Sequence, residues 1–266
     1  MNTISKTFES LRSKRQIALM PFVPAGYPDL ETTSATLQAI EQAGANIIEI
    51  GIPFSDPVAD GPVIQQAFTE SLAKKLKLAD IFTTIGKIRP RLSVPLVAMV
   101  SYSIVFRYGV ARFLTNARMS GFDGLILPDL PPPEAQQVCD QVRSAGLDTI
   151  LLVAPTTSRE RRIEIAKLCS GFVYYLSVSG ITGERTQLPA DLRDNVTQLK
   201  QASDVPVCVG FGISKPEHVK QLADVADGAI VGSALVRQMQ QAASSGPSAV
   251  ANAAGVYCKS LLSLVR

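Results

Sequence analysis

The chain has 266 residues, a formal net charge of +3 and a pI near 8.7, with 46% hydrophobic and 18% charged residues. That balance supplies ample core and excludes a disordered chain, and with no run of Lys and Arg interleaved with aromatics it excludes a nucleic-acid partner. The four cysteines (Cys139, Cys169, Cys208, Cys258) lie far apart and His218 is the single histidine, so no zinc-ligand spacing exists; reduced thiols in a cytoplasmic protein are expected.

The first residues, MNTISKTFESLRSKRQ, predict a helix over about 3–13 and lack the apolar stretch and small-residue cleavage site of a signal peptide. Short runs rich in Ile, Val and Leu then recur at 17–23, 46–52, 94–100, 122–127, 147–154, 171–178, 205–211 and 227–233. They are continuous rather than alternating and are bounded by Gly and Pro, the pattern of strands buried on both faces of a parallel sheet. Between them run helical patterns, among them 29–44, 132–146 and 214–226. Asp29 and Ser214 are expected to cap helix N-termini, Pro216 to sit in a first turn, and Gly44 and Gly146 to take the left-handed C-terminal position. Two segments stand outside the alternation, 62–74 after the second strand and 246–264 after the eighth. No apolar stretch approaches the roughly 20 residues needed to span a bilayer, so no membrane association is expected.

Eight βα units in this length predict an α/β chain folded as a single (β/α)8 barrel domain over 1–266, with an extra N-terminal helix and extra helical segments after strands 2 and 8. In such a barrel, function belongs on the loops that leave the C-terminal strand ends. The stretch EIGIPFSDPVADGP (49–62) brings three carboxylates to that end of the second strand. Because strand side chains alternate, Glu49 shares a face with Gly51 and Pro53, while Ile48, Ile50 and Ile52 face the other way. If the isoleucines meet the helices, Glu49 points into the barrel.

Two readings of Glu49 follow. It is either a carboxylate satisfied by loop amides or an ion pair, or a group whose apolar walls raise its pKa for proton transfer near neutral pH. Asp56 and Asp60 both sit in ordinary turn sequences, where one is expected to be structural; local sequence leaves open which. At the other end of the chain, SGITGER (179–185), GFGIS (210–214) and GS (232–233) follow strands 6, 7 and 8. Glycine-rich amides there can converge on a phosphate, and the long 177–190 connection suits a mobile lid.

Taken together, PFVPAGYPD, IEIGIPFSDPVADGPVIQ, GFDGLILPDLPPPE, SVSGITGER and GFGISKPEHV resemble, in order and spacing, the tryptophan synthase alpha subunit family over nearly the whole chain. The resemblance implies retro-aldol cleavage of indole-3-glycerol phosphate to indole and glyceraldehyde 3-phosphate, with no metal or organic cofactor. It implies Glu49 as general acid/base and Asp60 as the carboxylate that holds the indole N–H, leaving Asp56 to shape the loop. By similarity, Gly183, Gly212, Gly232 and Ser233 bind the phosphate, and Phe22, Tyr102, Ile126, Tyr174, Phe211 and Ile230 surround the indole. Thr182 packs by Asp60 when the lid closes. The implied partner is the pyridoxal-phosphate β subunit in an α2β2 assembly, contacted around 53–60, 100–110 and 128–133. The sequence departs from the family's usual residues at Pro24, Ser103 and Val178, which bears on lid and partner coupling more than on chemistry.

Rival readings fit less well. A sugar-phosphate epimerase needs a His/Asp metal set and an indole-glycerol-phosphate-forming synthase a strand lysine; neither is found in these strands. A non-catalytic activator of the β subunit does not explain the presence of both Glu49 and Asp60, while a stand-alone indole-producing lyase, free of any β subunit, is kept open by the lid substitution at Val178.

Overall fold

The apolar runs form eight short parallel strands that hydrogen-bond in chain order until the last meets the first, a closed barrel. They are β1 (Ala18–Pro24), β2 (Ile48–Gly51), β3 (Leu96–Met99), β4 (Gly124–Ile126), β5 (Asp148–Val153), β6 (Val173–Leu176), β7 (Val207–Gly210) and β8 (Gly228–Val231). This computed structural model describes residues 3–56, 60–177, 191–210 and 212–265. α1 (Thr3–Ser13) precedes β1, and the outer layer begins with α2 (Leu30–Gln42), α3 (Pro62–Ala73), α4 (Leu78–Ile88), α5 (Tyr102–Tyr108) and α6 (Val110–Met119). It continues with α7 (Ala135–Ser144), α8 (Arg159–Leu168), α9 (Leu192–Ala202), α10 (Pro216–Ala223), α11 (Ser233–Ala242) and α12 (Pro247–Leu261).

The expected extra helices are present as α1, α3 and α12. One more was not expected: β3 is followed by two helices, because Gly109 at φ +92° breaks α5 from α6. Asp29 caps α2 through a 2.7 Å hydrogen bond from the Thr32 amide, and Gly44 and Gly146 take positive φ as expected. Ser214 is not the cap of α10. That position belongs to Lys215, with Pro216 at the first helical residue, and Ser214 lies one step earlier.

Alternation along the strands divides the core in two. Leu19, Val23, Ile48, Ile50, Ile52, Ala98 and Leu125 pack outward against the helices. Met20, Val97, Ile126, Ile150, Tyr174, Cys208 and Ile230 fill the interior. Into the lower end of that interior α1 inserts Ile4, Phe8 and Leu11, with the Phe8 and Phe172 rings edge to face at 6.1 Å. The N-terminal end is therefore plugged by apolar side chains, and only the C-terminal end is left for chemistry.

The same lower rim carries a device repeated four times. Asn46, Asp123, Ser170 and Asp227, each just before an even-numbered strand, accept from the amides of Leu19, Leu96, Thr149 and Val207 in the preceding odd-numbered strand, at 2.8, 3.0, 3.0 and 2.9 Å. Each returns its own N–H to the carbonyl of that residue. These brackets satisfy strand-end groups that would otherwise be orphaned in a buried rim. Asp123 is further tied to Arg89 at 3.2 Å. Among the described residues no helix is long and apolar enough to cross a membrane.

Candidate active site

Glu49 is the second residue of β2, paired between Phe22 of β1 and Val97 of β3. It is fully buried, and neither carboxylate oxygen has a hydrogen-bond partner among the described residues. A structural carboxylate at that depth would be held by amides or a cation; among the described residues this one has neither. Burial, and secondarily the negative charge of Asp60, push its pKa up to about 8.

The neighbouring inward position is Gly51 because Phe22 needs the room: a Cβ on Gly51 would lie 2.3 Å from the Phe22 ring. Phe22 in turn meets Phe68 of α3 at 6.3 Å between ring centres. These rings wall the barrel mouth next to Glu49 and keep it apolar.

Asp60 reaches the same mouth from the loop ahead of α3. It is half-buried, burial pushes its pKa up to about 6, and its main-chain carbonyl accepts from Gln65 Nε2 at 2.7 Å, which anchors the loop to α3. Asp56 is exposed and accepts from Ser55 Oγ at 2.7 Å, a local turn contact. Burial thus separates two aspartates that their local sequences leave equivalent.

Tyr174 enters from β6, between Leu152 and Cys208. Its hydroxyl is held well above the usual tyrosine range by burial and then by the charges of Glu49 and Asp60. The three groups therefore share one electrostatic environment. Ile126 and Ile230 belong to the same interior cluster as Tyr174.

Tyr102 behaves differently. It is the first residue of α5, buried, and its hydroxyl donates to Glu134 Oε2 at 2.5 Å; burial and that acceptor push its pKa up to about 12. Its amide donates to Asp129 Oδ1 at 2.7 Å, and Ser101 Oγ donates to Asp129 Oδ2 at 2.6 Å. Sequence reasoning missed Asp129 and Glu134 as anchors of this corner; the prolines around them were the only signal. Of the departures, Pro24 ends β1 opposite Gly51, Ser103 lies exposed with its hydroxyl 2.7 Å from Ser101 Oγ, and Val178 falls outside the described residues.

On the far side of the mouth, Gly212 adopts φ +80°, open to glycine at little cost. Gly232 precedes α11, whose first residue is Ser233, and among the described residues no side chain caps that helix. A Cβ on Gly232 would stand 3.8 Å from Ile64 Cδ1 and 3.9 Å from Phe22 Cβ, which places this turn beside β1 and α3. Uncapped helix amides with nearby glycines favour an anion. Phe211, Thr182 and Gly183, with nearly all of the expected lid, lie outside the described residues.

The arrangement offers one carboxyl that stays protonated at neutral pH, a second that is largely ionised, apolar walls, and a turn suited to an anion. Environments that push two carboxyls apart in this way assign acid and base roles. Among the described residues no three His, Cys, Asp or Glu side chains gather as a metal set.

Residues 8–263 match the family model described as tryptophan synthase alpha chain. The chain belongs to the tryptophan synthase alpha chain family. A tryptophan synthase alpha chain from Rhodopirellula baltica is 46% identical over 98% of both chains. Among solved structures, a Mycobacterium tuberculosis tryptophan synthase chain superposes with a TM-score of 0.88 at 35% identity, covering 100% of this chain and 98% of that one. A mutant tryptophan synthase alpha subunit from Pyrococcus furiosus gives a TM-score of 0.85 at 37% identity, over 93% of this chain and 98% of that one. The known role of the tryptophan synthase alpha chain family is the cleavage of indole-3-glycerol phosphate in tryptophan biosynthesis, a lyase reaction.

Proposed function

We propose that this chain, acting as one domain over its whole length, cleaves indole-3-glycerol phosphate to indole and glyceraldehyde 3-phosphate with Glu49 and Asp60 as its acid–base pair. The observation that carries the assignment is the fully buried carboxyl of Glu49, without a hydrogen-bond partner among the described residues, beside Asp60 at the open end of the barrel.

Protonated Glu49 delivers its proton to C3 of the indole, which moves positive charge onto the ring nitrogen. Ionised Asp60 accepts the ring N–H and stabilises that charge, an interaction worth more in an apolar mouth than in water. The carboxylate left on Glu49 then accepts the proton of the side-chain hydroxyl. As the C–C bond breaks, its electron pair restores the aromatic ring and the hydroxyl oxygen becomes the aldehyde. Glu49 ends protonated, ready for another cycle.

Phe22, Ile126, Tyr174 and Ile230 are assigned to the indole, joined by Tyr102 at the α5 corner and by Phe211. The phosphate is assigned to the amides of Gly212, Gly232 and Ser233, with Gly183 from the lid and Thr182 closing on Asp60. The reading needs no cofactor. The product indole implies a consumer, and the family's working partner, the β subunit, supplies it. The faces at 53–60, 100–110 and 128–133 are the proposed contact; the second of these carries Phe106, 66% exposed with its ring 6.1 Å from that of Tyr102. A biosynthetic subunit of this kind belongs in the cytoplasm. Indole release by the purified chain, alone and with a β subunit, tests the reading: loss of release in both Glu49→Gln and Asp60→Asn supports it, and unchanged release in either variant contradicts it.

A further inference from the structure

The turn assigned to the phosphate is held from behind by two side chains that the reaction itself does not use. Ser214, two residues after Gly212, has both of its peptide groups taken: its N–H donates to His218 Nδ1 at 3.3 Å, and its carbonyl accepts from Tyr257 Oη at 2.9 Å. His218 is the third residue of α10 and is 2% exposed. It reaches back to the amide of Ser214, one residue before the N-cap Lys215, and the accepting Nδ1 leaves the ring proton on Nε2. Tyr257 comes from α12, the C-terminal helix outside the eightfold alternation, which packs on both α2 and α10. Ile213 between them is buried. Lys215, the cap position of α10, makes no side-chain cap hydrogen bond.

A turn that opens on glycine at φ +80° has many alternative conformations, so something must hold it if its amides are to meet a phosphate without further ordering. We infer that His218 and Tyr257 are positioning residues for substrate phosphate, fixing the 212–214 turn through the two peptide groups of Ser214. The inference rests on the phosphate assignment made above. It gives α12 a role in binding: the C-terminal helix braces the anion turn as well as covering the barrel.

The test uses the full chain, with His218→Leu, His218→Gln and Tyr257→Phe, and Ser233→Asp to place a carboxylate against the assigned phosphate. KM and kcat for indole-3-glycerol phosphate are measured with the inhibition constant of glycerol 3-phosphate. Loss of one ordering hydrogen bond predicts a rise of about threefold to tenfold in KM and in that inhibition constant for His218→Leu and Tyr257→Phe, with kcat within about twofold. His218→Gln, which keeps an acceptor, regains most of the loss. A merely structural role would lower kcat and leave the inhibition constant alone, and would not distinguish Gln from Leu; either result overturns the inference. If Ser233→Asp weakens glycerol 3-phosphate while both positioning variants leave it unchanged, the phosphate assignment stands and this inference falls. If Ser233→Asp has no effect, the phosphate assignment falls and takes the inference with it.

Discussion

Gly210 and Tyr174 both point inward from adjacent strands, two positions apart in register, and the tyrosine leans to where a side chain at 210 would be: a Cβ there would lie 2.4 Å from Tyr174 Oη and 2.5 Å from its ring. The glycine is the space that lets Tyr174 lean toward Glu49 and Asp60. Gly210→Ala is expected to displace the ring, reducing kcat/KM at least tenfold and destabilising the fold by about 1–3 kcal/mol through overpacking. Shortening the partner relieves the clash, so Gly210→Ala with Tyr174→Leu is expected to lose less activity than the two single losses predict. Strict additivity in that double-mutant cycle would show that the pair is not coupled.

The two aspartates of the 53–62 loop are expected to part company under substitution. Asp56 is exposed and accepts from its neighbour Ser55, so Asp56→Ala leaves kcat of the isolated chain within about threefold, as surface changes usually do. Asp60→Asn removes the charge assigned to the indole N–H and costs on the order of 3–4 kcal/mol of barrier, a hundredfold or more in kcat. Steady-state indole release from both variants decides it, and equal losses would reject the division of roles.

Keeping Glu49 buried costs stability. Its folded pKa of about 8 lies above its ordinary value of 4.5, so the folded state holds a proton that the unfolded chain gives up between those values. The associated stability is full below about pH 4.5 and is lost as pH rises to about 8. Glu49→Gln is free of this loss. Compared with the parent it is expected to gain stability progressively across that window and level off near pH 8, by a few kcal/mol at about 1.4 kcal/mol per pKa unit. Urea unfolding at several pH values checks it, and a gain independent of pH would contradict the protonation argument.

The lower rim is expected to report on folding alone. Asp123→Ala orphans the Leu96 amide and leaves the partly buried Arg89 without its carboxylate, at a cost of about 2–4 kcal/mol. Asn46→Ala removes one neutral hydrogen bond and costs about 1–2 kcal/mol. KM for the substrate is expected to stay unchanged in both, and a raised KM would show that the two ends of the barrel are coupled.

The barrel was legible because eight apolar runs with helical stretches between them leave few alternatives, and Glu49 could be turned inward from the isoleucines at 48, 50 and 52 alone. What could not be read were choices made across the sheet. Asp56 and Asp60 are alike until burial separates them. Asn46, Asp123, Ser170 and Asp227 look like turn residues, and the amides they hold lie on the neighbouring strand, 20 to 27 residues away. Glu134 takes the Tyr102 hydroxyl over 32 positions. His218 read only as the single histidine, since nothing local tells that its ring turns back to Ser214.

The central claim is that one carboxyl works protonated while its neighbour works ionised, and the pH dependence of kcat/KM for indole release tests it most directly. With Asp60 near 6 and Glu49 near 8, activity rises as Asp60 ionises, is greatest around pH 7, and falls as Glu49 loses its proton, the two limbs belonging to the coupled pair. A bell with apparent values near 6 and 8, its alkaline limb absent from the residual activity of Glu49→Gln, is the predicted result. A profile flat from pH 5 to 9, or an alkaline limb that survives in Glu49→Gln, would contradict the account.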